Sequence, residues 1–145
     1  MTRDNPPRVE LRAMPDSAEA SHWSRKSIYL ENGTGAIGYC GLSPMENPGR
    51  GGSGTAHSLA GGRNAEIHFG LDPAQRGRGY AAQAVRQCLE QAFAAGVETV
   101  YAGIEGGNAK AIALVIKLGF GIEGERRNPK SGKNEILFSL EKNRP

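Results

Sequence analysis

The sequence predicts a mixed α/β fold of the α+β kind, in which short strands and two amphipathic helices share one core. Three observations carry this expectation. Segments alternating apolar and polar residues are interleaved with two segments of helical period. A turn rich in glycine and arginine joins a strand directly to the longer helix. The chain has 145 residues and 38% hydrophobic content, enough to bury one core. Residues 1–145 are therefore read as a single domain, with 1–8 as a tail and 43–63 as a Gly-rich loop.

Val9 to Met14 alternates apolar and polar residues as a half-buried strand does, and Pro15-Asp16-Ser17 ends it. Asp16 or Ser17 can cap a short helix from Ala18 toward Arg25, with Trp23 as its large apolar anchor. Ser27–Glu31 and Ala36–Leu42 flank Asn32-Gly33-Thr34-Gly35 and read as a hairpin, since Asn-Gly supplies the positive φ of tight turns. From Ser43 to Arg63 the chain turns to Pro, Gly, Ser and Asn, which predicts a long loop, either a substrate lid or a neutral insertion. A strand around Glu66–Leu71 follows, then a helix from about Gly79 to Ala95 ending at Gly96. In that helix Tyr80, Ala84, Val85, Cys88, Leu89, Ala92 and Phe93 form one apolar face, leaving Gln83, Arg86, Gln87, Glu90 and Gln91 for solvent. A strand at Thr99–Ile104, a second helix after Asn108 ending near Leu118-Gly119, and strands at Phe120–Arg126 and Glu135–Leu140 complete the chain.

Charge and cysteine content narrow the function classes. The formal charge is +3, and the basic residues are spread along the chain instead of forming a nucleic-acid-binding block. Cys40 and Cys88 lie far apart in sequence without metal-ligand spacing, and read as buried thiols. No apolar run approaches the roughly 18 residues that span a bilayer, and the N-terminus lacks an apolar signal core. The expectation is a cytoplasmic enzyme or binding protein without nucleic-acid or membrane partners and without a metal.

The most specific chemistry lies in Arg76-Gly77-Arg78-Gly79-Tyr80-Ala81, between a strand and a helix N-terminus. Unpaired N–H groups at a helix start, glycines that admit close approach and the positive end of the helix dipole together favour an anion such as phosphate. An ordinary glycine turn capping a helix uses the same residue types. Gly77-Arg78-Gly79-Tyr80-Ala81-Ala82 also meets the loose dinucleotide fingerprint, with Glu98 as ribose ligand. Against that, Asp72–Arg76 makes the turn too long, Arg78 crowds the pyrophosphate approach, and Glu98 falls before the next strand instead of at its end.

Arg76-Gly77-Arg78-Gly79-Tyr80-Ala81 resembles the central motif of the GCN5-related N-acetyltransferase (GNAT) superfamily. Asn108 to Phe120, an Asn-initiated helix ending in Lys117-Leu118-Gly119-Phe120, is similar to the family's second signature. Glu66–Pro73 and Asn134–Leu140 look most like the branch that acetylates ribosomal-protein N-termini. The resemblance implies a mostly antiparallel sheet with two splayed central strands, flanked by helices, and acetyl-CoA as cosubstrate in the cleft between them. It places the pyrophosphate on the backbone of Gly77, Arg78, Gly79, Tyr80 and Ala81, with charge from Arg76 and Arg78. Phe69, Gly70 and Leu71 would pair with pantetheine amides, and Asn108 would cap the second helix and face pantetheine. Lys117 is a further cofactor candidate, although a helix C-terminus favours a cation by itself.

The implied reaction moves acetyl directly to a primary amine, on a small molecule or a protein N-terminus. An acyl-CoA-binding module with decayed catalysis is the alternative. An ammonium must lose a proton before it attacks, so a base is needed. Glu66 is the first candidate, because related enzymes place a glutamate there and burial would favour its protonated form. His68, on the same strand face by alternation, is the second. A bulge in the strand would turn Glu66 away. Many family members carry a tyrosine as general acid where this chain has Val115, and some of the ribosomal branch a serine where it has Ala111. Protonation of the thiolate then falls to water, to Tyr39 or to nothing. The span 15–26 has room for one helix where the family places two, so the acceptor wall is open or completed by a homodimer. His22, Trp23 and His57 are read as surface or core residues, with acceptor contact as the alternative.

Overall fold

The computed structural model describes residues 8–13, 25–31, 33, 35–45, 64–128 and 130–142. The helix expected from Ala18, most of the Gly-rich loop, and Met14, His22, Trp23 and His57 lie outside these residues.

Seven strands form one sheet in the order β1-β2-β3-β4-β5-β7-β6. They are β1 (Val9–Ala13), β2 (Lys26–Leu30), β3 (Ala36–Pro44), β4 (Asn64–Leu71), β5 (Thr99–Glu105), β6 (Gly121–Arg127) and β7 (Asn134–Glu141). All neighbours are antiparallel except β4 and β5, which run parallel and are joined through helix α1 (Tyr80–Ala94). Helix α2 (Ala109–Lys117) links β5 to β6. The other expected elements appear, with boundaries shifted by one or two positions. Ser43 and Pro44 continue β3, pairing with Glu66 and Ala65, instead of opening the Gly-rich loop.

The sheet has one apolar and one polar face. Ile28, Ile37, Leu42, Ala65, Ile67, Val100, Ala102 and Phe138 share a core with Tyr80, Val85, Leu89 and Val115 from the two helices. In α1 the buried residues are Tyr80, Ala84, Val85, Cys88, Leu89 and Ala92, the stripe that its period demands. The helix ends where Gly96 takes φ +104°, which lets the Val97 N–H reach back to the Ala92 carbonyl at 3.0 Å. Gln83 and Gln87, expected to face solvent, instead close the edge of β1: Val9 N donates to Gln83 Oε1 at 3.0 Å and Gln87 Nε2 donates to the Val9 carbonyl at 2.8 Å. These bonds satisfy backbone groups that an edge strand would leave open. Cys40 and Cys88 come from separate elements yet meet in the core as free thiols.

Candidate active site

β4 and β5 are paired only at Asn64↔Thr99, Ala65↔Val100 and Glu66↔Tyr101. Beyond that point β4 stays with β3 as far as Leu71, and β5 stays with β7 as far as Glu105. The two strands therefore splay, and the β5-facing edge of β4 at Phe69, Gly70 and Leu71 is left without a strand partner. An extended amide-bearing ligand can fill that gap as a surrogate strand.

The same strand leads into the glycine and arginine turn. After a 3-10 turn at Pro73–Gln75, Arg76 is extended, and Gly77 and Gly79 have φ of +81° and +83°. Gly79 is the N-cap of α1 and offers no side-chain cap, and no acidic residue occupies the first helical turn. The N–H groups at the start of α1 are thus left to water or a ligand, at the positive end of the helix dipole. A Cβ at Gly77 or Gly79 would meet nothing within 4 Å, so backbone conformation and not crowding selects glycine there. Arg76 folds back so that Nε donates to the Leu71 carbonyl at 3.2 Å, tying the turn to the end of β4. Arg76 and Arg78 are exposed and have no acid partner among the described residues.

At the apex of the splay stands a charged network on the polar face. β4 pairs with β3 without a register shift, so Glu66 and His68 do share a face, opposite Ala65 and Ile67. Glu66 is not a free carboxylate: its two oxygens accept from both Nη groups of Arg126. Arg126 Nε also donates to Glu135 Oε1 at 3.1 Å, and Glu135 Oε2 accepts from Asn128 Nδ2 at 3.0 Å. The guanidinium passes over Gly103, where a Cβ would lie 2.5 Å from both Nη2 of Arg126 and Oε1 of Glu135. It thereby bridges β6 to β4 across the splayed pair. Sequence reasoning misses Arg126 and Glu135, which lie 60 and 69 positions beyond Glu66; only their alternation in β6 and β7 hints at a shared face.

His68 stands just past the apex, exposed, with Nε2 3.0 Å from Ser43 Oγ. Loss of water around part of the ring lowers its pKa below the usual value near 6.5; Glu66 opposes that shift, and Arg126, Lys130 and Arg25 reinforce it. His68 is consequently neutral at pH 7. When Nε2–H donates to Ser43, Nδ1 keeps a lone pair able to take a proton. Tyr39 lies across Gly70, since a Cβ on Gly70 would come within 2.7 Å of its ring.

The second helix supplies a cap and a wall. Asn108 Oδ1 accepts from Ala111 N at 3.2 Å, which is the expected N-cap. Lys117 occupies the exposed last turn of α2. Val115 is fully buried in the core and Ala111 is half-buried, so neither position offers a proton donor. Cys40 is held as a thiol, its pKa pushed up by its bond with Cys88 and by burial, and cannot serve as a nucleophile. Among the described residues no His, Cys, Asp or Glu group is arranged to hold a metal ion.

A cleft between splayed parallel strands, ending at an uncapped helix start, defines an acyltransferase-type fold, and comparison with known proteins agrees. Residues 2–120 match the Acetyltransferase (GNAT) family, and the chain belongs to that family. It is 43% identical over 51 residues, 35% of its length, to the L-methionine sulfoximine/L-methionine sulfone acetyltransferases of Pseudomonas aeruginosa and Pseudomonas paraeruginosa. That match spans 30% of the relatives' own length. Among solved structures, a Salmonella typhimurium acetyltransferase with its cofactor acetyl-CoA superposes with a TM-score of 0.65 at 20% identity, covering 84% of this chain and 66% of the other. The ribosomal-protein-S5-alanine acetyltransferase of Vibrio fischeri gives 0.66 at 19% identity, covering 84% and 64%.

Proposed function

We propose that this chain is an acetyl-CoA-dependent N-acetyltransferase that moves an acetyl group directly to a primary amine. The observation that carries the reading is the continuity of β4, the splay and the uncapped start of α1, a track with an open strand edge at one end and an anion site at the other. Phe69, Gly70 and Leu71 pair with pantetheine, Gly77–Ala81 hold the pyrophosphate with Arg76 and Arg78 beside it, and Asn108 and Lys117 line the α2 side. The thioester then lies near Glu66 and Tyr101, where the strands part.

His68 Nδ1 removes one proton from the acceptor ammonium, the amine nitrogen bonds to the acetyl carbon and loses its second proton to solvent, and the C–S bond breaks to release CoA thiolate. Glu66, engaged by Arg126, orients the network on which the acceptor rests and is not the proton carrier. Solvent protonates the thiolate, since α2 carries no acid for it. Location in the cytoplasm and a homodimer that completes the acceptor wall belong to the same proposal, and sedimentation of the purified chain tests the second. Whether the acceptor belongs with ribosomal N-termini, as the strand motifs indicate, or with free amino-acid derivatives, as the Pseudomonas relatives' names indicate, is decided by acceptor chemistry.

The test is release of CoA from acetyl-CoA against a panel of amines, amino acids, peptides and polyamines. Turnover dependent on an amine is expected. Acetyl-CoA binding without turnover on any acceptor would favour the binding-module alternative, and tighter binding of NAD than of acetyl-CoA would overturn both.

A further inference from the structure

Three cations from separate elements lie around His68, beside the carboxylates of Glu66 and Glu135. Arg25 precedes β2, Arg126 lies in β6 and Lys130 in the β6–β7 turn, and all three act on His68 electrostatically. Arg126 is occupied by Glu66 and Glu135. Arg25 and Lys130 have no acid partner among the described residues.

Arg25 is nonetheless held in place. The Arg25 guanidinium stacks over the Tyr39 ring, 4.5 Å from its centroid. Its stem covers Gly41, the residue paired with His68, so closely that a Cβ on Gly41 would lie 3.0 Å from Arg25 Cα. Asn128 fixes the backbone of the Lys130 turn, its Oδ1 accepting from Lys130 N at 2.8 Å and from Ser131 N at 3.0 Å. Asn128 also donates to Glu135, the acid that holds Arg126, so the Lys130 turn and the Glu66 bridge form one network. A guanidinium without an acid partner beside His68 repels a bare ammonium such as a polyamine, and attracts an anion attached close to the reacting nitrogen.

Building on the acetyl-transfer reading, we propose that the acceptor is a free α-amino acid, its carboxylate held by Arg25 and Lys130 while its amine faces His68. A peptide N-terminus lacks that carboxylate beside its amine and is the poorer acceptor. The same cations favour loss of the proton from the bound ammonium, which produces the nucleophile.

The experiment compares steady-state acetylation of L-amino acids, their amides and matching dipeptides by the wild type and by Arg25→Ala, Arg25→Lys and Lys130→Ala, with melting midpoints checking that each variant folds. The wild type is expected to prefer the acid to the amide by about tenfold or more in kcat/KM, as loss of a charge-assisted hydrogen bond implies. Each alanine variant is expected to erase most of that preference through KM for the acid, and Arg25→Lys to recover part of it. Equal use of acid, amide and dipeptide by the wild type, or equal effects of the variants on all three, would overturn the assignment. Absence of turnover with every amine would instead sink the acetyl-transfer reading on which it rests, so the two failures are distinct.

Discussion

Glu66 and His68 stand two residues apart on one strand face and have opposite surroundings. Glu66 is clamped by Arg126 inside a chain of charge-assisted hydrogen bonds, whereas His68 keeps an open edge and a lowered proton affinity. His68 accepts a proton only where it is neutral, and its pKa lies below 6.5, so activity is expected to fall on the acid side at a pH below 6.5. His68→Gln is expected to lower kcat about a hundredfold and to remove that acid limb, as read from a pH profile of kcat/KM. An unchanged profile would remove His68 from the mechanism. Arg126 has a structural role that stability measurements resolve. Its side chain is 17% exposed and those of Glu66 and Glu135 are 14% and 10% exposed, so Arg126→Met leaves two carboxylates with little water and no cation. Urea unfolding should report a loss of about 3 kcal/mol, and the triple change Arg126→Met, Glu66→Gln, Glu135→Gln should cost less than the single one.

At the scale of elements, the turn before α1 was the part most legible from sequence. Gly77 and Gly79 announce positive φ, and the apolar stripe from Tyr80 to Ala92 fixes where the helix begins and which way its dipole points. Gly79→Ala places a Cβ on a residue at φ +83° and should cost about 1–2 kcal/mol in stability. It should also weaken acetyl-CoA binding about tenfold or more in calorimetry, because the methyl occupies the space where the backbone meets the pyrophosphate. Binding unaffected by this change would place the pyrophosphate elsewhere. The Glu66–Arg126–Glu135 bridge was not legible in the same way. It joins β4 to the distant β6–β7 hairpin, and Arg126 faces Glu135 because a register shift between Ile122 and Gly124 sets the phase of β6. Periodicity within a strand gives a face, but not which remote strand shares it. Gln83 and Gln87 show the same limit, since helix period alone assigns them to solvent while the neighbouring edge of β1 recruits them.

For the molecule as a whole, the order of strands explains why chemistry concentrates at one point. The sheet changes from antiparallel to parallel pairing only between β4 and β5, and that parallel pair opens after three residue pairs. Both helices pack on the apolar face, so the charged face around Glu66 and His68 remains uncovered by α1 and α2. No helix among the described residues is long and apolar enough to cross a membrane. The strand edge and the helix start were readable because both follow from local sequence, whereas the charged face around His68 depends on residues brought together from β4, β6, β7 and the segment before β2. The most direct test of the account is a crystal structure of the chain with CoA. It should show pyrophosphate oxygens within about 3 Å of backbone nitrogens in Gly77–Ala81, pantetheine along Phe69–Leu71 and the sulfur where Glu66 and Tyr101 part. A CoA molecule bound away from the splay, or with its pyrophosphate off the Arg76–Ala81 turn, would contradict it.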